Sequence, residues 1–229
     1  MGLKGLLNSY FGKSSTKKIG HFEYLFIALI LTVLIKPFFK GFIGIQILTN
    51  ILFTIIYLAA IFTVIQSHQI LRFSLWIVVP TIVLTWWQFF YPNYILFISS
   101  NIFSLVFFSY TVGLLTVYLA RQKKVTRNVI MCAGSTYFLM AFFWATAFIL
   151  LEMVAPGSFN NLGDKTQKAG DLLYFSFVTI TTLGYGEITP ATSQARALVI
   201  VETVIGQLFI AVMLARLVGI QTGQMMEKK

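Results

Sequence analysis

Six long apolar runs, at 22–39, 41–66, 73–91, 94–120, 128–151 and 194–218, set the limits of what this chain can become. A helix of about 20 apolar residues crosses a bilayer. Lipid offers no water to a peptide group, so a spanning segment has to satisfy its own backbone, as a helix does. The expected fold is an all-α membrane protein with six transmembrane helices. Composition agrees, with 58% hydrophobic residues, 10% charged residues and a mean hydropathy of +0.83. The first run is the weakest, because Lys36 and Pro37 interrupt it. Proline is tolerated in membrane helices, however, and lysine snorkels to an interface. Its basic lead-in resembles a secretory leader, but no clear small-residue cleavage site follows, so it is read as a retained helix.

The basic residues orient these spans. With the N-terminus inside, Lys4, Lys13, Lys17, Lys18, Arg72, Arg121, Lys123, Lys124, Arg127, Arg216, Lys228 and Lys229 fall on the cytoplasmic side, whereas Lys36, Lys40, Lys165, Lys168 and Arg196 do not. That asymmetry satisfies the positive-inside rule and predicts that both termini are cytoplasmic. The net charge of +10 is therefore mainly a topology signal. A nucleic-acid partner is not expected, since the basic residues sit between spans and no recognition motif accompanies them. The lone Cys132 forms no intrachain disulfide. His21 and His68 have no neighbouring cysteine or paired acid, so neither a metal centre nor general-base chemistry is expected, and nothing points to an enzyme.

Between the fifth and sixth runs lies Thr181-Thr182-Leu183-Gly184-Tyr185-Gly186-Glu187. For consecutive carbonyls to face one way, alternate residues must reach positive φ, which Gly184 and Gly186 do at little steric cost. Thr182 adds a hydroxyl at the inner end, while Leu183 and Tyr185 are expected to point backward into protein. The T-V-G-Y-G loop is the established example of an ion filter built from carbonyl rings, and T-L-G-Y-G is read by likeness to it. Potassium, as permeant ion and with no cofactor, would then sit at Thr182, Leu183, Gly184 and Tyr185. One strand cannot surround an ion, so a homotetramer with a central pore is implied. Asp171 to Thr181 reads as a short re-entrant pore helix with Asp171 as its N-cap.

From 128 to 219 the chain resembles the pore module of the tetrameric potassium channel superfamily, and as a whole it resembles the prokaryotic six-helix members. The resemblance implies that Thr182 to Gly186 line the ion queue, that Tyr174 and Phe175 form an aromatic collar behind it, and that Gly206 is the inner-helix hinge. Three positions depart from the family pattern. Leu183 replaces the usual valine and loses its β-branching. Glu187 replaces the usual aspartate at the outer mouth. Val178 stands where some relatives carry a glutamate that pairs with that acid, so this brace is expected to be absent.

Other positions follow from the residues themselves. Glu202, an acid inside a span, is a functional candidate by default, and is expected to bond the hydroxyl of Thr179 or Thr181 behind the filter. Below Gly206, the apolar Ile210, Met213, Leu214 and Leu217 recur at helical spacing and are expected to form a constriction that dewets and closes. The run 94–120 contains no basic residue. Steep voltage gating needs about 3 to 4 moving charges per subunit, so a voltage sensor is not expected there. Its polar residues, Ser100, Asn101 and Thr111 among them, read as helix-to-helix hydrogen bonds. Lys17, Lys18, Arg121, Lys123, Lys124 and Arg127 are candidate contacts for anionic lipid.

The expected organisation is a cytoplasmic segment 1–21, a peripheral four-helix unit 22–120, a basic linker 121–127, a pore domain 128–219 and a short cytoplasmic tail 220–229. No appended sensor domain is expected, a compact form that leans towards a prokaryotic plasma membrane. The sequence therefore reads as a voltage-insensitive potassium-selective channel. A weakly selective cation channel or a non-conducting assembly subunit are the alternatives.

Overall fold

The structure, a computed structural model, describes residues 22–38, 44–64, 68–164 and 167–226; the segment 1–21, with Lys17 and Lys18, lies outside them. The described chain is helical apart from one pair of two-residue strands. In order it runs α1 (Phe22–Phe38), α2 (Ile45–Val64), α3 (His68–Phe90), α4 (Tyr94–Arg121), α5 (Arg127–Val154), β1 (Phe159–Asn160), α6 (Lys168–Ile180), β2 (Thr189–Pro190) and α7 (Ser193–Met226).

Five of these helices, α2, α3, α4, α5 and α7, are long and apolar enough to cross a membrane, which makes the chain a multi-pass membrane protein. The first expected span falls short: α1 has 17 residues, and its apolar stretch is Phe22–Ile35. At 1.5 Å per residue it is ~25 Å long, at the lower limit for a bilayer. Helix α6 is shorter still, at 13 residues, and cannot span.

The chain divides into two compact units between Phe103 and Ser104, inside α4. In the first, α2 packs against α1 and α3 around buried Leu25, Leu29, Ile56 and Ala60. Its hydroxyls turn mostly to their own helices. Thr32 donates to Ala28 O at 2.8 Å, Thr54 to Asn50 O at 2.7 Å and Thr81 to Ile77 O at 2.7 Å. Polar contacts also link helices: Trp86 Nε1 donates to Thr54 Oγ1 at 3.1 Å, and Ser100 Oγ to Gln88 Oε1 at 2.8 Å. Ser100 thus bonds between helices as expected, whereas Asn101 and Thr111 bond the carbonyls of Phe97 and Phe107 within α4.

In the second unit α5 and α7 both pack against α6. The core joins Met140, Ala141, Trp144 and Phe148 of α5 to Phe159, to Leu172, Phe175 and Ile180 of α6, and to Ala195 of α7. Phe148, Phe159 and Phe175 form a triangle with ring centroids 5.2 to 5.5 Å apart. Helix α7 is continuous through Gly206 and on to Met226, so 220–226, expected as a short tail, continues the last helix.

Candidate ion-binding site

Helix α6 begins earlier than its acid suggested. Gln167 N and Lys168 N bond Asp164 O at 2.7 and 3.1 Å, which winds the first turn upstream of Asp171. Asp171 is therefore not the N-cap. From inside that turn its Oδ2 accepts from Gly163 N at 2.8 Å and fixes the incoming loop.

The other end of α6 sets the geometry of the motif. Thr182 N bonds Thr179 O at 2.9 Å and Leu183 N bonds Val178 O at 2.9 Å, the two closing bonds of a Schellman cap. Such a cap needs a left-handed residue, normally glycine, and here Thr182 takes the role at φ 59°. For a β-branched residue this conformation costs on the order of 1–2 kcal/mol and persists only where the surroundings impose it. The hydroxyl helps: it donates to Thr181 O at 2.6 Å and accepts from Gln207 Nε2 at 3.4 Å.

Positive φ then recurs at Gly184 (55°) and Gly186 (89°), while Leu183 and Tyr185 keep negative φ. The N–H groups of Thr182, Leu183 and Gly184 all bond back to carbonyls of α6. Among the described residues no donor reaches the carbonyls of 182–186. Five successive acceptors are left open. The side chains of Leu183 and Tyr185 are 55% and 68% exposed, so the single chain does not enclose them as expected. A cavity of about 330 Å³ lies beside this strand, lined by Val178 and Thr179 of α6 and by Val199 and Thr203 of α7.

The outer end is tied to the loop between α5 and α6. Strands β1 and β2 pair antiparallel, with Phe159 opposite Pro190 and Asn160 opposite Thr189. Asn161, itself left-handed at φ 60°, donates from Nδ2 to Glu187 O at 2.9 Å. The Glu187 carboxylate accepts from the Tyr174 hydroxyl, so the acid is braced from α6 although Val178 offers nothing. That bond to the carboxylate pushes the Tyr174 phenol up to about 12, because the proton is held between two oxygens. The loop is anchored in turn by Glu152, which is buried at the end of α5. It accepts from Gly157 N at 3.1 Å, Phe159 N at 3.3 Å and Lys168 Nζ at 2.9 Å.

Of the expected collar, Tyr174 lies at the outer end, whereas Phe175 turns into the α5–α6 core against Phe148 and Phe159. Glu202 faces α6 as expected but meets a different hydroxyl, that of Ser176. Thr181 is committed to Phe177 O at 2.7 Å, and Thr179 lies farther along the helix, beside the cavity. Gly206 abuts the last turn of α6: a Cβ there would sit 2.9 Å from Ile180 O. That same carbonyl accepts from Tyr137 of α5 at 2.8 Å. Farther down α7, Met213 is buried within its own chain, Ile210 and Leu214 are exposed, and Leu217 is half-buried.

Residues 129–221 match a family model described as Ion channel. Among curated proteins, Two pore potassium channel c of Oryza sativa subsp. japonica is 36% identical over 85 residues, covering 35% of this chain and 19% of the rice protein. Two-pore potassium channel 4 of Arabidopsis thaliana is 43% identical over 57 residues, covering 25% of this chain and 20% of that protein. The chain thus spans about a fifth of the length of the curated relatives it matches. No solved structure gives a significant match. The similarity is to ion channels, and both relatives are plant proteins, which lend no support to a prokaryotic origin.

Several positioning residues of the matched stretch had no signal in the sequence. Ser176 and Tyr137 look like ordinary helix residues, and Asn161 like a loop residue. Glu152 had one available clue, as an acid just beyond an apolar run with a lysine 16 residues on. Arg216, counted for topology, donates to the carbonyls of Ala120 and Gln122 at the end of α4, a cation at a helix C-terminus. Gln224 accepts from Val125 N at 3.3 Å, which ties α7 again to the same linker. Arg121, Lys123, Lys124 and Arg127 flank or lie in that linker, with exposed side chains.

Proposed function

We propose that the chain is a subunit of a potassium-selective channel in which four copies set their 182–186 carbonyls around a central ion queue. The reading is carried by one observation: five successive carbonyls without protein donors, on a backbone whose positive φ alternates at Thr182, Gly184 and Gly186. Carbonyls so arranged replace the hydration shell of a cation, bind it firmly enough to strip water and release it under repulsion from the next. The C-terminal end of α6, the negative end of its dipole, leads directly into this strand and favours a cation at the inner end. Four-fold assembly also gives cover to Leu183, Tyr185 and the apolar surface of α7 that a single chain leaves exposed. The similarity to two plant potassium channels supports the choice of ion.

In this reading α1, at the short end of the spanning range, also crosses, and both termini are cytoplasmic. Ile210, Leu214 and Leu217 line a hydrophobic gate, with Met213 packed behind them, and Gly206 is the close-packing point about which α7 would bend. The absence of basic residues along 94–120 makes gating insensitive to voltage through that helix. Arg121, Lys123, Lys124 and Arg127 take anionic headgroups at the inner leaflet.

The test is the reversal potential of the purified protein in a planar bilayer with potassium on one side and sodium on the other. A shift to the potassium equilibrium potential is expected. A value near zero would mean a weakly selective cation pore, with Leu183 as the first position to revert to valine. No current together with no potassium binding by calorimetry would mean a non-conducting assembly subunit.

A further inference from the structure

Ser176 Oγ lies within hydrogen-bonding distance of two oxygens at once, Ala141 O of α5 at 2.8 Å and Glu202 Oε1 of α7. A serine hydroxyl carries one proton. It cannot donate to both, so if the Ala141 carbonyl takes the serine proton, the bond to Glu202 has to be supplied from the glutamate side. A second observation leads to the same place. Glu202 is 0% exposed and its Oε2 has no hydrogen-bond partner among the described residues. An ionised carboxylate so placed would leave half its charge unpaired by protein in a buried site, whereas the carbonyl oxygen of a neutral acid is left bare at far lower cost. Among the described residues no cation faces it: the titratable side chain that α5 turns toward Glu202 is Tyr137, whose proton goes to Ile180 O, and Ser176 is its partner on α6.

We propose that Glu202 is a neutral carboxylic acid that heads a one-way hydrogen-bond relay, from Glu202 O–H to Ser176 Oγ and from Ser176 O–H to Ala141 O. The relay runs from α7 through α6 to α5, and so fixes the helix that carries the filter strand from both sides. Glu202 acts here as a positioning residue, one turn from the Gly206 contact and five residues before Thr181 on the side of Ser176. Its proton decides the direction of the relay. Loss of that proton would turn the Ser176 hydroxyl toward the carboxylate and strip the bond to Ala141 O, loosening α6 from α5. Alkaline conditions should therefore loosen the wild type and leave Glu202→Gln unaffected, since the amide donates to Ser176 without titrating.

The proposal depends on the pore reading only for its effect on conduction, so its first test is spectroscopic. Infrared spectra of the full chain in lipid, with glutamate carboxyls isotope-labelled, should contain a protonated-carboxyl band at neutral pH that Glu202→Gln abolishes and Ser176→Ala shifts. Carboxylate bands alone, or a band that Ser176→Ala leaves in place, overturn the relay. The band with no current in any variant would sink the pore reading and leave the relay standing. In conducting protein, Glu202→Gln should keep the wild-type potassium-over-sodium ratio, while Glu202→Leu lowers it by about tenfold, the effect of one lost hydrogen bond at the filter's support. A Glu202→Gln variant as unselective as Glu202→Leu would also overturn the proposal, and the wild-type spectrum decides the matter if Glu202→Leu fails to fold.

Discussion

Helices α1 to α3 and the stretch from α5 to α7 are both built from apolar sequence, yet they are held together differently. In the first, polar groups mostly close on their own helix, and the helices meet mainly through side-chain packing, with the Trp86–Thr54 bond as a cross-helix exception. In the second, polar groups reach across elements to fixed backbone atoms: Tyr137 to Ile180 O, Asn161 to Glu187 O, Glu152 to two loop amides, Arg216 to the end of α4. Packing without directed bonds tolerates small slides. A row of carbonyls that has to meet an ion, as proposed for 182–186, would not, because displacement by ~1 Å already degrades a functional constellation.

Substitutions can break or sharpen this contrast, and the largest effect is expected at Glu152. Glu152→Leu leaves Gly157 N, Phe159 N and Lys168 without their partner and should cost about 3 kcal/mol, even though Lys168 is partly solvated. Chemical denaturation in detergent reads this directly; an unchanged midpoint would mean that the loop needs no anchor. Next is Gly206→Ala, whose Cβ meets Ile180 O at 2.9 Å and should cost about 2 kcal/mol through overpacking. Gly113→Ala is its control, since nothing lies within 4 Å there and the helix should gain up to ~1 kcal/mol. Equal responses at the two glycines would remove the special status of the α6–α7 contact.

Asn161→Ala should follow at about 1.5 kcal/mol, from the left-handed backbone and the lost bond to Glu187 O. Its sharper readout is the reversal potential, which should move toward zero although the residue touches no ion. The smallest effects belong to the first unit. Thr54→Val, which deprives Trp86 of its acceptor, should cost about 0.6 kcal/mol, and Thr32→Val, bonded only within its helix, less than that. A Thr54 effect as large as that of Glu152 would erase the distinction between the regions.

The same contrast explains what could be read in advance. The apolar runs report helices well because length and hydropathy are properties of the segment itself, so α2 to α5 stand close to their expected bounds, while α7 starts where expected and runs on to Met226. Gly184 and Gly186 announce the positive φ that they adopt, whereas Thr182 does not, since nothing about a threonine signals a left-handed cap. Asp171 was misread because a carboxylate at a helix start can bond the loop before it instead of capping the turn after it. Glu202 was placed against the correct helix and the wrong hydroxyl: which of several hydroxyls meets it depends on the rotation of α6, and that is set by contacts made by Phe175 and Ile180.

The 182–186 strand resembles a taut string held at two pegs. Its inner peg is the closing turn of α6, and its outer peg is the Asn161 bond with the β1–β2 pair beyond it. Among the described residues nothing grips its carbonyls in between, so its tension is set at the ends. Changes at the pegs should retune the whole string together, altering how all five carbonyls would meet an ion in the proposed pore, much as turning one key changes the pitch along the full length of a wire.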